Sequence, residues 1–146
     1  MKQKLITAYM KTAETFAELS HARRLHVGAI VVKDDRIISI GYNGMPAGWD
    51  NDCEEIVELR EDGHHELKTK PEVLHAETNA IAKLARSNES GHDADLFVTH
   101  SPCLDCAKLI YQSGIGRVWF GSAYRDTAGV DFLIKSGVQV NQVELL

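Results

Sequence analysis

The sequence contains few of the residues that would hold a fold together covalently. Only three cysteines occur among 146 residues, an odd and small number that provides no disulfide framework. A chain of this length can bury a core of its own, so we expect one domain over residues 1–146. The shortage of cysteine also indicates a reducing compartment, the cytoplasm, or the host cytoplasm if the gene is viral.

Long apolar runs are missing as well. No stretch approaches the roughly 20 apolar residues that a membrane-spanning helix needs, so we expect no membrane partner. Lys, Thr and Glu interrupt the N-terminal segment throughout, and we expect no signal peptide there. Apolar residues of this segment recur at helical spacing and predict an amphipathic first helix. They are Leu5, Ile6, Tyr9, Met10, Ala13, Phe16 and Ala17.

An excess of positive charge is also absent. The chain has 16 Lys and Arg residues against 21 Asp and Glu residues, a formal net charge of −5. Proteins that bind a polynucleotide backbone usually carry a basic face, so we expect no nucleic-acid partner. One basic cluster, HARRLH at residues 21–26, is either a solvated loop or a short cationic loop that meets one phosphate of a small ligand.

The rest of the chain shows alternating strand and helix patterns. Residues 27–32 and 37–41 are β-rich runs on either side of KDDR and predict a hairpin. From HAETNAIAKLA to VQVNQVELL, helix and strand patterns then alternate. This order predicts an α/β fold with a mixed five-stranded sheet. The antiparallel hairpin comes first, parallel or mixed strands follow, and helices cover both faces.

Residues 45–74 show no such periodicity. Within them, residues 50–72 hold nine acidic side chains against three basic ones. We interpret residues 45–74 as a polar surface insertion with one short helix around Ile56 to Leu59. Irregular loops of this length are uncommon in compact domains unless they are functional or mobile.

Two short motifs carry residues that bind metals. Cys103 and Cys106 lie in SPCLDC at the predicted start of one helix, and His75 and Glu77 lie in HAE at the start of the preceding helix. Helix N-termini favour negative charge and lower the pKa of a thiol. If the two helices pack side by side, one imidazole and two thiolates supply three zinc ligands. The fourth position stays open, as in catalytic zinc sites.

Glu77 is a candidate proton carrier for such a site. Two thiolates formally cancel the charge of Zn²⁺, so the metal acidifies a bound water less than it would beside three neutral histidines. A carboxylate near that water can take its proton and pass it on. The pattern H-x-E followed by P-C-x-x-C is typical of zinc-dependent nucleobase deaminases.

The same residues allow other interpretations. CLDC at a strand-to-helix junction also fits a thiol–disulfide oxidoreductase, although His75 and Glu77 then have no function. A zinc-stabilised binding module without chemistry would need a fourth protein ligand. Cys53, together with His64 and His65, could hold a second, structural zinc, although only one thiol is available there.

Three segments, GYNGMPAG, HAETNAI and SPCLDCAKLIYQSGI, resemble the deoxycytidylate (dCMP) deaminases of the cytidine deaminase-like superfamily. The resemblance implies a three-layer α/β/α sandwich with zinc on His75, Cys103 and Cys106. It also implies hydrolysis of dCMP to dUMP and ammonia, which supplies a precursor of thymidylate. Water at the open zinc position attacks C4 of cytosine, while Glu77 carries protons to N3 and to the departing amino group.

The resemblance further suggests where the substrate binds. It assigns Asn43 to a sugar hydroxyl and Ser101 to the base pocket, and it adds Ala76 and Pro102 as substrate-binding residues. Asn43 could equally be a turn residue in the left-handed conformation.

The phosphate site departs from the family. Relatives usually have Ser-x-Asp-Pro before VGA, whereas this chain has SHARRLH, so the family's phosphate ligands do not transfer. An arginine fork and a tyrosine hydroxyl suit a phosphate monoester. On that ground we nominate Arg23, Arg24, Tyr124 and Arg125.

Regulation is also suggested by the resemblance. Members of the family are often hexamers that dCTP activates and dTTP inhibits, with Mg²⁺ on the triphosphate. The effector would lie around GYNGMPAGWDND, which contains Gly44. Asp50 and Asp52 could then help to hold Mg²⁺, and Trp49 could line the pocket.

The alternative within the superfamily is a different substrate: free cytidine or deoxycytidine, tRNA adenosine or single-stranded DNA. The acidic net charge argues against a polynucleotide. GYNGMP and the arginines that suit a phosphate argue against a nucleoside without phosphate.

Overall fold

The computed structural model describes residues 1–59 and 61–144, and its largest element is a mixed β-sheet. The secondary structure, in chain order, is α1 (Gln3–Ala17), β1 (Gly28–Lys33), β2 (Arg36–Tyr42), β3 (Glu54–Leu59), β4 (His65–Thr69), α2 (Ala76–Ala85), β5 (Asp95–His100), α3 (Leu104–Gln112), β6 (Arg117–Ser122), α4 (Ala128–Lys135) and β7 (Gln139–Gln142).

The five strands of the main sheet lie in the order β2-β1-β5-β6-β7. Strand β1 is antiparallel to both β2 and β5, whereas β5, β6 and β7 are parallel. Asp34 and Asp35 close the β1–β2 hairpin with φ angles of 51° and 56°. Positive φ at both turn residues matches the twist of the strands, as in a type I′ turn. The predicted mixed sheet is therefore confirmed.

Alternate residues of the sheet point to two separate apolar clusters. On one face, Ile30 and Phe97 pack with Ile6 and Met10 of α1. On the other face, Val31 and its neighbours pack with residues of α2, α3 and α4. Helices on both faces of the sheet, the predicted three-layer arrangement, are confirmed.

Helix α2 lies unusually close to β2 because Gly41 has no side chain. A Cβ atom there would collide with the carbonyl oxygen of Ala76 and lie 2.6 Å from the amide nitrogen of Ala80. The side-chain amide of Asn79 also donates to the carbonyl oxygen of Tyr42 at 2.8 Å. These contacts fix the first turn of α2, where His75 and Glu77 lie, against the sheet.

The prediction for residues 45–74 is wrong in one respect. Instead of a short helix around Ile56 to Leu59, β3 and β4 form an antiparallel pair, which we call the insertion hairpin. Glu54 lies opposite Thr69 in this pair. The strand is stabilised by its partner about ten residues away, and a local pattern rich in glutamate does not reveal such pairing. Two backbone hydrogen bonds between Gly44 and Leu74, of 3.1 and 2.8 Å, close the insertion at its base.

Helices of the kind that could cross a membrane, long and apolar enough, do not occur in the described part of the chain.

Candidate active site and metal centre

The predicted metal ligands meet at the N-termini of α2 and α3. His75 is the N-cap residue of α2, Cys103 is the N-cap residue of α3, and Cys106 lies in the first turn of α3. The Nδ1 atom of His75 lies 3.2 Å from Sγ of Cys106 and 3.5 Å from Sγ of Cys103. All three ligand atoms lie within 4.8 Å of one another.

This arrangement fits one zinc ion. Zinc bonds of about 2.0–2.3 Å to nitrogen and sulfur, at tetrahedral angles, place neighbouring ligand atoms roughly 3.5–3.8 Å apart. Within residues 1–59 and 61–144, this cluster has three members, and no fourth His, Cys, Asp or Glu joins it. Three protein ligands leave a coordination position for water or substrate, which is the catalytic and not the structural pattern.

The two thiols of the cluster have different pKa values. A hydrogen bond from Cys106, helped by His75, lowers the pKa of Cys103 to about 4. Donation of that hydrogen bond to Cys103, together with burial, raises the pKa of Cys106. Cys103 is thus the thiol that deprotonates more readily, and metal ligation requires both thiols in the deprotonated form. The hydroxyl of Thr78 lies 3.7 Å from Sγ of Cys106.

Glu77 lies beside the cluster without belonging to it. It is in the first turn of α2 and only 4% exposed. Burial raises the pKa of its carboxyl group to about 7. A carboxyl group with a pKa in this range can both accept and donate a proton near neutral pH.

A cavity of about 420 Å³ opens at this point. That volume is within the usual range for small-molecule sites. Its wall includes His75, Cys103 and Glu77, together with the predicted substrate-binding residues Ala76 and Ser101. Two of the three cluster residues and the candidate proton carrier therefore share one accessible space.

A family model described as the cytidine and deoxycytidylate deaminase zinc-binding region matches residues 3–122. This chain belongs to that family. It is accordingly an enzyme of the zinc-dependent deaminase class, and not a thiol–disulfide oxidoreductase or a binding module without chemistry.

Individual relatives agree with this assignment. The deoxycytidylate deaminase of Enterobacteria phage T4 is 34% identical over 152 residues, which cover 80% of this chain and 78% of that protein. The human deoxycytidylate deaminase is 38% identical over 122 residues, covering 82% and 66% of the two chains. A crystal structure of dCMP deaminase from the cyanophage S-TIM5, in complex with dCMP and dUMP, superposes with a TM-score of 0.87. It is 47% identical and covers 98% of this chain and 99% of that one.

The nominated phosphate residues of the deaminase separate into two groups. Arg24 and Tyr124 line the cavity. Arg23 instead directs its guanidinium group to Asp52 at 3.2 Å and Glu54 at 3.4 Å. Arg125 is exposed and is not part of the cavity wall. Burial raises the pKa of Tyr124 to about 12, so its phenol keeps its proton and can donate a hydrogen bond.

Asn43 lines the cavity and also anchors the loop at residues 21–26. Its side-chain oxygen accepts the N–H of Val27 at 2.9 Å, and its amide donates to the carbonyl oxygen of Leu25 at 2.8 Å. Its φ angle is not positive. The alternative of a left-handed turn residue is therefore wrong. Pro102, predicted as a substrate-binding residue, is buried and is not part of the wall.

The predicted effector residues lie outside the cavity wall. Gly44 pairs with Leu74 at the base of the insertion, and Trp49 is 57% exposed. The carboxylate of Asp50 accepts the N–H of Asp52, and the carboxylate of Asp52 pairs with Arg23 at 3.2 Å and Lys70 at 3.6 Å. Asp52 is thus already engaged with two cations.

The wall residues that sequence reasoning missed include three with polar side chains: His100, Glu54 and Thr69. The ring of His100 stacks on that of Tyr124, with 5.5 Å between centroids and 28° between planes. Partial burial lowers the pKa of His100, so it is neutral at pH 7. Its position directly before SPCLDC was a usable signal. Glu54 and Thr69 come from the insertion hairpin, and nothing in the local sequence indicates their position.

The possible second zinc site at Cys53 gains no support from the part of the chain that the structure describes. Cys53 is buried, and its Sγ lies 3.5 Å from the carbonyl oxygen of Asn51. His64 is exposed and pairs with Asp62 at 3.1 Å. The side chain of His65 lies outside the described residues.

Proposed function

We propose that this chain hydrolyses dCMP to dUMP and ammonia. The observation that carries the proposal is one cavity that contains both halves of such a site. Its wall combines two of the three cluster residues, His75 and Cys103, and Glu77 with Arg24 and Tyr124, a cation and a donor for a phosphate. The relative from cyanophage S-TIM5, solved with dCMP and dUMP, supports the same substrate.

Zinc would be held by His75, Cys103 and Cys106, and when bound it lowers the pKa of a water molecule beside it. Glu77 is the group that moves protons. It takes one proton from the attacking water and delivers it to N3 of cytosine. It then moves the remaining proton of the hydroxyl now on C4 to the amino group, and a C4=O double bond replaces the C4–N bond. Water adds at C4, the C4–N bond breaks, and ammonia leaves.

The remaining wall residues bind and orient the nucleotide. Arg24 offers a guanidinium group and Tyr124 a phenol hydroxyl to the phosphate monoester. Asn43 uses its amide oxygen and amide N–H on the backbone of Val27 and Leu25, which leaves one lone pair and one N–H for a sugar hydroxyl. Ala76 and Ser101 border the base.

A substrate panel tests the proposal. Purified, zinc-loaded protein is given dCMP, deoxycytidine, cytidine, a tRNA anticodon stem-loop and a single-stranded oligonucleotide, and ammonia release is followed. We expect turnover of dCMP with the highest kcat/KM of the panel. Absence of dCMP turnover by fully zinc-loaded protein, or faster turnover of another substrate, would overturn the proposal.

We further propose, on the family resemblance, a cytoplasmic single-domain enzyme that forms hexamers and responds to dCTP and dTTP with Mg²⁺. The contact of Asp52 with Arg23 supports a link between the effector segment and the loop that carries Arg24. Velocity against dCMP concentration tests regulation, and light scattering tests the hexamer. A velocity curve that dCTP and dTTP both leave unchanged would exclude this regulation.

A further inference from the structure

We propose that Glu54 is a positioning residue that orients Arg24 toward the phosphate of the substrate. The inference rests on the proposed function, because it concerns the phosphate half of that site. Glu54 belongs to the insertion hairpin, and its side chain is only 1% exposed. The deamination chemistry at C4 does not use this carboxylate.

The carboxylate binds the backbone of the arginine loop. Oε1 of Glu54 accepts the N–H of Arg23 at 2.8 Å and the N–H of Arg24 at 3.1 Å. Oε2 accepts from Nε of Arg23 at 3.4 Å. A buried carboxylate is stable only when its oxygens are hydrogen-bonded or paired with a cation, and both conditions are met here. Because two consecutive N–H groups bind one oxygen, the backbone orientation at Arg24 is fixed, and with it the direction in which its side chain leaves the backbone.

The opposite strand of the hairpin holds the side chain of the same arginine. Thr69 faces Glu54 across the β3–β4 pair. Its Oγ1 accepts from Nη1 of Arg24 at 3.3 Å. Glu54, Thr69 and Arg24 all line the cavity. One cross-strand pair therefore holds both the backbone and the guanidinium group of Arg24.

The two adjacent arginines consequently have different tasks. The guanidinium group of Arg23 lies among the carboxylates of Glu54 and Asp52 and offsets their charge. The Glu54 carboxylate binds only the backbone N–H of Arg24; within the described residues, the guanidinium group of Arg24 has the hydroxyl of Thr69 as its hydrogen-bond partner and no carboxylate. Its charge is thus left for an anionic ligand. Because the side chain is oriented before the ligand arrives, less conformational entropy is lost on binding.

The test uses the zinc-loaded protein and a matched pair of variants. Glu54→Gln removes the charge and one acceptor, and Glu55→Gln makes the same change at the next, exposed position of β3. The KM and kcat for dCMP are measured, together with kcat/KM for deoxycytidine, which lacks the phosphate. Thr69→Val provides a second variant that leaves Glu54 in place, in case Glu54→Gln does not fold. A double-mutant cycle of Glu54→Gln with Arg24→Ala measures the energetic coupling between these two residues.

We expect Glu54→Gln to raise the KM for dCMP roughly tenfold, the size of one lost hydrogen bond to a charged group. Thr69→Val should raise it severalfold, and kcat should change less than KM in both. Deoxycytidine turnover and the Glu55→Gln variant should stay within about twofold of wild type. In the Arg24→Ala background, Glu54→Gln should raise the KM for dCMP little further. Both residues act through the same contact, that of the Arg24 guanidinium group with the substrate phosphate.

Three results would overturn the inference. They are an unchanged KM for dCMP in both hairpin variants, an equal loss with deoxycytidine, and an undiminished effect of Glu54→Gln in the Arg24→Ala background. If wild type does not act on deoxycytidine, the cycle with Arg24 decides alone. The wild-type assay with dCMP tests the proposed function separately, so the two failures are distinguishable.

Discussion

At the scale of single residues, the proposed mechanism separates a group that moves protons from groups that hold the metal. Glu77 lies two positions after His75, buried beside the ligand cluster but not part of it. We expect Glu77→Gln to lower kcat by roughly 10²–10⁴-fold, because the amide cannot carry a proton. Zinc content should stay at wild-type level. Ammonia release and metal analysis on the same sample check both statements.

A matched control for this variant is Glu72→Gln, which makes the same change at an exposed position three residues before His75. It should keep wild-type kcat. A fully active Glu77→Gln enzyme with bound zinc would contradict the assigned role.

Adjacent arginines provide the second prediction at this scale. Arg24→Ala should raise the KM for dCMP by about 10–100-fold, the loss of charge-assisted hydrogen bonds to a phosphate. Arg23→Ala should mainly lower stability, by about 1 kcal/mol, since its partner Glu54 is buried but Arg23 itself is half-exposed. Steady-state kinetics and thermal unfolding of both variants check the difference. Equal KM values in the two variants would contradict it.

The sequence predicted the metal ligands but could not separate these arginines. H-x-E and P-C-x-x-C are short local motifs, and each places its residues at a helix start by itself. The role of Arg23 depends on Glu54 and Asp52, about thirty positions along the chain. Only the fold brings these residues together. The sequence alone therefore could not show that Arg23 and Arg24, two adjacent arginines, have different roles.

At the scale of secondary-structure elements, prediction succeeded where a pattern was self-contained. The β1–β2 hairpin and the starts of α2 and α3 follow from local turn and helix signals. The insertion hairpin was missed because β3 depends on β4, and its glutamates disfavour a strand when taken alone. The missed hairpin supplies Glu54 and Thr69, so the error in the fold explains why these two wall residues were missed.

Helix α4 provides a prediction for this scale. A Cβ atom on Gly129 would collide with the carbonyl oxygen of Pro102 and lie 2.7 Å from the carbonyl of Cys103. Gly129→Ala should therefore destabilise the protein by roughly 1–3 kcal/mol, as other overpacking changes do. It should also weaken zinc binding, because the backbone that has to move carries a ligand. Unfolding curves and competition with a chelator check both effects.

Gly116→Ala is the matched control. A Cβ atom there comes within 3.1 Å only of the exposed carboxylate of Asp93, which can move away. Its stability and zinc affinity should remain close to wild type. Wild-type zinc affinity in Gly129→Ala would show that α4 does not support the metal site.

At the scale of the whole molecule, the metal site joins elements that the chain separates. The order β2-β1-β5-β6-β7 brings the start of α2 next to the start of α3, although His75 and Cys103 are 28 positions apart. Helical and strand periodicities give the elements but not their neighbours, so this order did not follow from the patterns alone. The candidate ligands His75, Cys103 and Cys106 are not members of either apolar cluster in the described part of the chain. We therefore expect the core to form without zinc.

Zinc removal tests this division between core and site. A ligand that binds only the folded state adds about 4 kcal/mol when its free concentration is a thousandfold above its Kd. For a chain of this length, that free energy corresponds to roughly 10 °C in Tm. We therefore expect a strong chelator to lower Tm by several degrees or more, with unfolding still cooperative, activity lost and both restored by added zinc. Loss of cooperative unfolding in the apo protein would instead show that the core needs the metal, and an unchanged Tm after complete removal would show that the ligands of α2 and α3 do not share one ion.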